Sequence, residues 1–201
     1  KGRLDPLAIK TTLDAVPSEG EGEVFCPGNL VADPVFASGD LALYWGDSIS
    51  DPGNLLCSAA LCEGDTPFIG TYWVRFYGRV TDDVLALGQE IEIPNATLAL
   101  LTYYYSAAPE AGGTVSVYIS GSLVDELYFP ADHTGGVYQE RSVDVSVFAD
   151  GGTHLLEFVN PSLGGADVHM DAVCLQVGGG PPQEGEGELE EGEPTVEGEG
   201  E

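Results

Sequence analysis

The sequence predicts an all-β domain, a two-sheet β-sandwich, on three observations. Short alternating apolar and polar runs recur at roughly ten-residue to fifteen-residue spacing. Gly, Pro, Asp and Asn separate them, and no run carries the period of an amphipathic helix. The expected strands are Asn29 to Val35, Leu41 to Trp45, Thr71 to Tyr77, Val84 to Ile93, Thr97 to Tyr105, Thr114 to Ser120, Leu123 to Phe129, Ser142 to Phe148, His154 to Val159 and Val168 to Val177. Gly121-Ser122 is a two-residue hairpin signal that pairs the strands on either side. The connection from Gly46 to Gly70 is long for a compact domain, which marks it as functional or stapled.

Composition bounds the domain. The chain has 201 residues, with 34 acids against 6 Lys and Arg and a formal net charge of -28. Glu-Gly repeats, SEGEGE ending at Glu23 and QEGEGELEEGEPTVEGEGE from Gln183, cannot collapse into a core, because carboxylates repel and glycine is flexible. The expected division is therefore a linker or tail of a preceding segment at 1–23, a β-sandwich domain at 24–178 and a disordered Glu/Gly-rich linker at 179–201. Such acidic linkers suit one module of a larger secreted or cell-surface protein. The only cations between the linkers are Arg75, Arg79 and Arg141. A nucleic acid or an anionic membrane would be repelled, and no apolar run is long enough for membrane insertion. A signal for export is expected outside this stretch.

Four cysteines allow three pairings. Cys57 with Cys62 would close a small loop, and Cys26 with Cys174 would tie the first strand to the last; buried free thiols are the alternative. The spacing lacks the two close cysteine pairs of a structural zinc site. Disulfides imply an oxidising compartment.

The order of phrases resembles the galactose-binding-like jelly roll, the fold of many carbohydrate-binding modules and accessory domains of secreted proteins. NLVADPVFASGDLALYW at Asn29 to Trp45 looks like the opening of those modules, and GTYWVRFYG, IPNATLALLTYYY, VSVYISG, VDVSVFADGGTHLLEFVN and VHMDAVCL follow in the family's order. The resemblance implies a structural calcium ion, Ca2+, with Asp171 as one ligand. The acidic residue expected after the opening Phe is replaced here by Ala37, so Asp33 or Asp40 would have to supply another oxygen. The opposing reading is that Asp171 only bonds to a turn.

Catalytic patterns are not visible. His133, His154 and His169 form no metal-binding pair and read as surface histidines, and no nucleophile elbow or phosphate-cradling loop occurs. Asp82-Asp83 and Asp125-Glu126 read as solvated carboxylates. Aromatic residues are more suggestive. With Arg75 facing solvent, strand parity sends Trp73 and Tyr77 outward and Tyr72, Val74 and Phe76 inward. With Leu98, Leu100 and Tyr104 inward, Tyr103 and Tyr105 point out, and Tyr118 falls on the polar side of its strand. Trp73, Arg75, Tyr77, Tyr103, Tyr105 and Tyr118 are thus the candidate ligand-binding face, since sugar rings stack on aromatic side chains. The competing account buries these aromatics under the Gly46–Gly70 connection or against another module. The expected function is a non-catalytic carbohydrate-binding module whose partner is a polysaccharide or glycan. The alternative is a structural or adhesive spacer whose partners are neighbouring surface-protein modules.

Overall fold

The computed structural model describes residues 26–47, 55–62, 65–77, 84–108, 112–129, 132, 134–161 and 167–178. Both Glu-Gly stretches, Asp82-Asp83, His133 and the side chain of Tyr77 lie outside them. A helical turn α1 (Leu41–Tyr44) leads into ten strands: β1 (Gly46–Asp47), β2 (Leu56–Ser58), β3 (Tyr72–Tyr77), β4 (Leu85–Glu92), β5 (Leu98–Ala107), β6 (Gly113–Ile119), β7 (Ser122–Phe129), β8 (Gln139–Asp144), β9 (Thr153–Asn160) and β10 (Asp167–Gly178). They form two five-stranded sheets, ordered β1-β4-β9-β6-β7 and β2-β3-β10-β5-β8. Every strand pairing is antiparallel. The inward residues of both sheets, among them Phe76, Leu87, Leu101, Val117 and Phe158, make one core.

Two expected strands are not strands. Asn29 to Val35 runs as turns and bends beside β10, because side chains take over its backbone bonding. Asn29 Oδ1 accepts the N–H groups of Val31 and Leu175, and the Gln89 side chain bonds both the N–H and the carbonyl of Ala32. Asp33 and Phe36 then adopt φ of 49° and 54°, in the left-handed region, which interrupts an extended run. Leu41 to Trp45 is mostly helical. Asp40 caps it by accepting the Ala42 N–H at 3.0 Å, and the Trp45 N–H closes the turn by donating to the Leu41 carbonyl at 2.7 Å. Farther along, Ser142 to Phe148 splits into the end of β8 and a 3-10 turn at Ser146–Phe148. The long connection contributes the unforeseen β2, paired to β3.

Both favoured disulfides are present. Cys26 is bonded to Cys174 across a separation of 148 residues, and Cys57 to Cys62 across 5. The first closes the two ends of the described fold together, assisted by the Leu30 N–H on the Leu175 carbonyl and the Gln176 side chain on the Pro27 carbonyl.

Candidate functional site

The expected aromatic face is not one surface. On β3 the parity holds: Val74 and Phe76 are core residues, and Trp73 and Arg75 lie on the opposite face. Trp73 nevertheless has 0% exposure. It lies beside His169, ring centroids 6.2 Å apart, on the face that residues 65–69 cover. On β5 the expected phase is reversed. Tyr103 and Tyr105 point into the core, whereas Leu98, Leu100 and Tyr104 point out. Both parities of this strand are apolar, so alternation alone does not select one. The interior accepts the phenol of Tyr103 because its Oη donates to Asp125 at 2.8 Å. Tyr118 sits on the other sheet, opposite Glu157. Leaving Tyr77 aside, the other five residues thus occupy an outer face, the core and the opposite sheet.

The face that does assemble is the outer side of β2-β3-β10-β5-β8. Strand register sets Arg75 beside His169, Asp171 beside Tyr104, and Tyr104 beside Glu140. Residues 65–69 fold over this patch, and Asp171 anchors them. Its carboxylate has no exposure and accepts the N–H groups of Phe68 and Ile69 at 2.9 and 3.1 Å and that of Ala172 at 2.7 Å. Burial pushes its pKa up to about 7, against the pull of those three donors. The anchor brings Phe68 onto Tyr104, rings stacked at 3.9 Å and 13°. Phe68 keeps 41% of its surface exposed. The Tyr104 Oη donates to Glu140 at 2.6 Å, and that bond raises the phenol's pKa. Along the same face Thr102 and Ser142 hydroxyls meet at 2.9 Å.

An ionic group borders the patch. Arg75 forms a two-pronged bond to Asp167, both contacts 2.7 Å, and reaches Asp65 at 3.8 Å. Burial would raise the Asp167 pKa, but the neighbouring His169 ring and the Arg75 bonds outweigh it and hold the carboxyl well below the usual range. His169 is not a surface histidine. Its side chain is largely buried, with Nε2 3.4 Å from Asp167 and 3.5 Å from Asp65. These two contacts are too poorly aligned to be hydrogen bonds.

His154 is also mostly buried, between Asp150 at 2.9 Å and Ser120 at 3.1 Å. Asp125 is not a solvated carboxylate either: it takes a two-pronged bond from Arg141, both contacts 2.8 Å. The aspartates expected around calcium are engaged one by one. Asp33 bonds Ser38, Asp40 caps α1, and Asp171 anchors residues 68–69. As placed they do not form a shared ligand set, and among the described residues no group of three or more His, Cys, Asp or Glu side chains is arranged to hold a metal ion.

The fold is shared with solved structures. A carbohydrate-binding module, TmCBM61, solved in complex with β-1,4-galactotriose, matches with a TM-score of 0.57 and 17% identity over 75% of this chain and 99% of that one. The K1 cleaved adhesin domain of Lys-gingipain from Porphyromonas gingivalis W83 matches with a TM-score of 0.54 and 16% identity, over 72% of this chain and 96% of that one. No protein-family profile and no curated protein matches the chain. The chain is an all-β sandwich of the fold that these modules share, as its phrase order led one to expect. No helix among the described residues is long and apolar enough to cross a membrane.

Proposed function

We propose that the domain is a non-catalytic extracellular binding module that takes a polysaccharide on the outer face of β2-β3-β10-β5-β8. The observation that carries this reading is Phe68, 41% exposed and stacked on Tyr104. A half-exposed aromatic ring backed by a second ring is a rigid apolar platform for the C–H face of a sugar. Hydroxyl and carboxylate groups of Thr102, Ser142 and Glu140 lie next to it and suit sugar hydroxyls. The two disulfides fit a secreted or cell-surface setting. The fold shared with a module solved with β-1,4-galactotriose is compatible with this ligand class. The test is retention on a panel of immobilised polysaccharides that includes β-1,4-galactan. At least one should retain the wild-type chain, and Phe68→Ala should lose more than about tenfold in affinity, the scale expected for removing a buried aromatic anchor. Retention by none would overturn the reading.

A second reading has its own observation. Leu98 and Leu100, 42% and 38% exposed, stand on the same face of β5, an apolar strip suited to a neighbouring protein module. In that case Phe68→Ala leaves attachment unchanged, and Leu100→Glu abolishes it.

A further inference from the structure

Three buried polar atoms under residues 65–69 have no hydrogen-bond partner: Trp73 Nε1, Tyr138 Oη and His169 Nε2. Buried polar groups are nearly always satisfied, so three in one patch call for a guest. Several contacts place them together. Trp73 packs against His169, the Tyr138 ring lies 5.7 Å from Phe68, and the Phe68 N–H holds Asp171. Burial pushes the Tyr138 pKa upward, and the charges of Asp171 and Asp65 push it further. The phenol is therefore a neutral O–H, able to donate and to accept.

The surroundings select the guest. Among the described residues, Asp65, Asp167 and Asp171 outnumber Arg75 and His169 beside them, so an anion is disfavoured. Asp167 is committed to Arg75 and Asp171 to three backbone N–H groups, which leaves neither carboxylate free for a cation. What remains is a neutral group that accepts from the indole N–H and exchanges a hydrogen bond with a phenol. A sugar hydroxyl does both.

We infer that Trp73, Tyr138 and His169 form a subsite for one hydroxyl-bearing end or branch of a neutral glycan, with residues 65–69 as its cover. This rests on the polysaccharide reading above and adds a second point of contact to it. Phe68 belongs to the cover, so the ring that stacks on the ligand and the segment that admits its end are the same element. The cover lifts by releasing the Phe68 and Ile69 N–H groups from Asp171, and Gly70, at φ 74°, is the residue that tolerates the bend at its end.

The test is isothermal titration with β-1,4-galactotriose and with soluble fragments of whichever polysaccharide retains the chain, on wild type, Tyr138→Phe, Trp73→Phe and Phe68→Ala. Tyr138→Phe removes one hydroxyl and keeps the ring, so it should fold; circular dichroism and thermal midpoint check this for all variants. Tyr138→Phe and Trp73→Phe should each weaken binding about fivefold to fiftyfold, the usual worth of one or two hydrogen bonds. Binding equal to wild type in Tyr138→Phe overturns the subsite, even if Trp73→Phe binds poorly, because that loss would trace to packing. If Phe68→Ala alone loses affinity, the subsite falls and the stacking face stands. If no ligand binds the wild type, both fall.

Discussion

Asp171 shows how one residue can organise a surface. A carboxylate without exposure keeps its charge only at a cost, and burial moves its pKa up to about 7 from an ordinary value of 3.8. The unfolded chain gives up this proton near the ordinary value and the folded chain only near 7. Folding stability from this group is therefore greatest at low pH and falls as pH rises from about 4 to 7. Asp171→Asn, which keeps an acceptor for the Phe68 and Ile69 N–H groups, should remove that slope. Urea unfolding at pH 5 and pH 8 checks it: the wild type should lose on the order of 2–4 kcal/mol between them relative to the variant. Equal slopes would mean that Asp171 titrates normally. This behaviour is invisible in VHMDAV, where an aspartate among strand residues reads as a turn partner or a metal ligand. What buries it is a segment about one hundred residues away in sequence.

Strand elements were legible where one parity was apolar and the other was not. On β3, Arg75 fixes the phase and the sequence reading of its faces holds. On β5, Leu98, Leu100 and Tyr104 compete with Ala99, Leu101, Tyr103 and Tyr105, and the choice depends on two other strands. Asp125 on β7 and Arg141 on β8 join the edges of the two sheets and give the inward Tyr103 a charged acceptor. Burial works against the Asp125 charge, but the Arg141 and Tyr103 bonds prevail and its pKa falls. The stability it contributes is present above the unfolded pKa and is lost as pH falls below about 4. Tyr103→Phe should cost about 1.5–3 kcal/mol in chemical unfolding at neutral pH, the usual worth of a hydrogen bond to a charged group. A cost near zero would show that the inward phenol does not need its partner. The strands lost to sequence reading, at Asn29 to Val35 and Leu41 to Trp45, failed because side chains replace the backbone pairing that a strand would use: Asn29 and Asp40 from within the segment or beside it, and Gln89 from 57 residues away.

For the whole molecule, the sandwich was readable from short-range signals, namely turn residues and alternation, and the disulfides because four cysteines allow only three pairings. The Cys26–Cys174 bond closes nearly the entire described fold into one loop. Replacing both cysteines by serine should lower stability by about 2–5 kcal/mol, measurable as a shift in denaturation midpoint, whereas opening Cys57–Cys62 should cost less because its loop is short. The candidate face was only half legible. Arg75 and Trp73 lie on the outer side of β3, as strand parity predicts, but Phe68 and Tyr138 carry no signal in connections. They join that face only because Asp171 draws residues 65–69 down over β10 and β5. Because the two outer faces carry different aromatics, Phe68 and Tyr104 on one and Tyr118 on the other, the location of binding discriminates most directly. Backbone amide NMR of the isotope-labelled chain, titrated with an oligosaccharide of the polysaccharide that retains it, reads that location. Binding on the outer face of β2-β3-β10-β5-β8 predicts shifts concentrated at residues 65–69, Thr102 to Ser106 and Tyr138 to Ser142; shifts centred instead on Tyr118 and Glu157, or on neither sheet, would rule that location out.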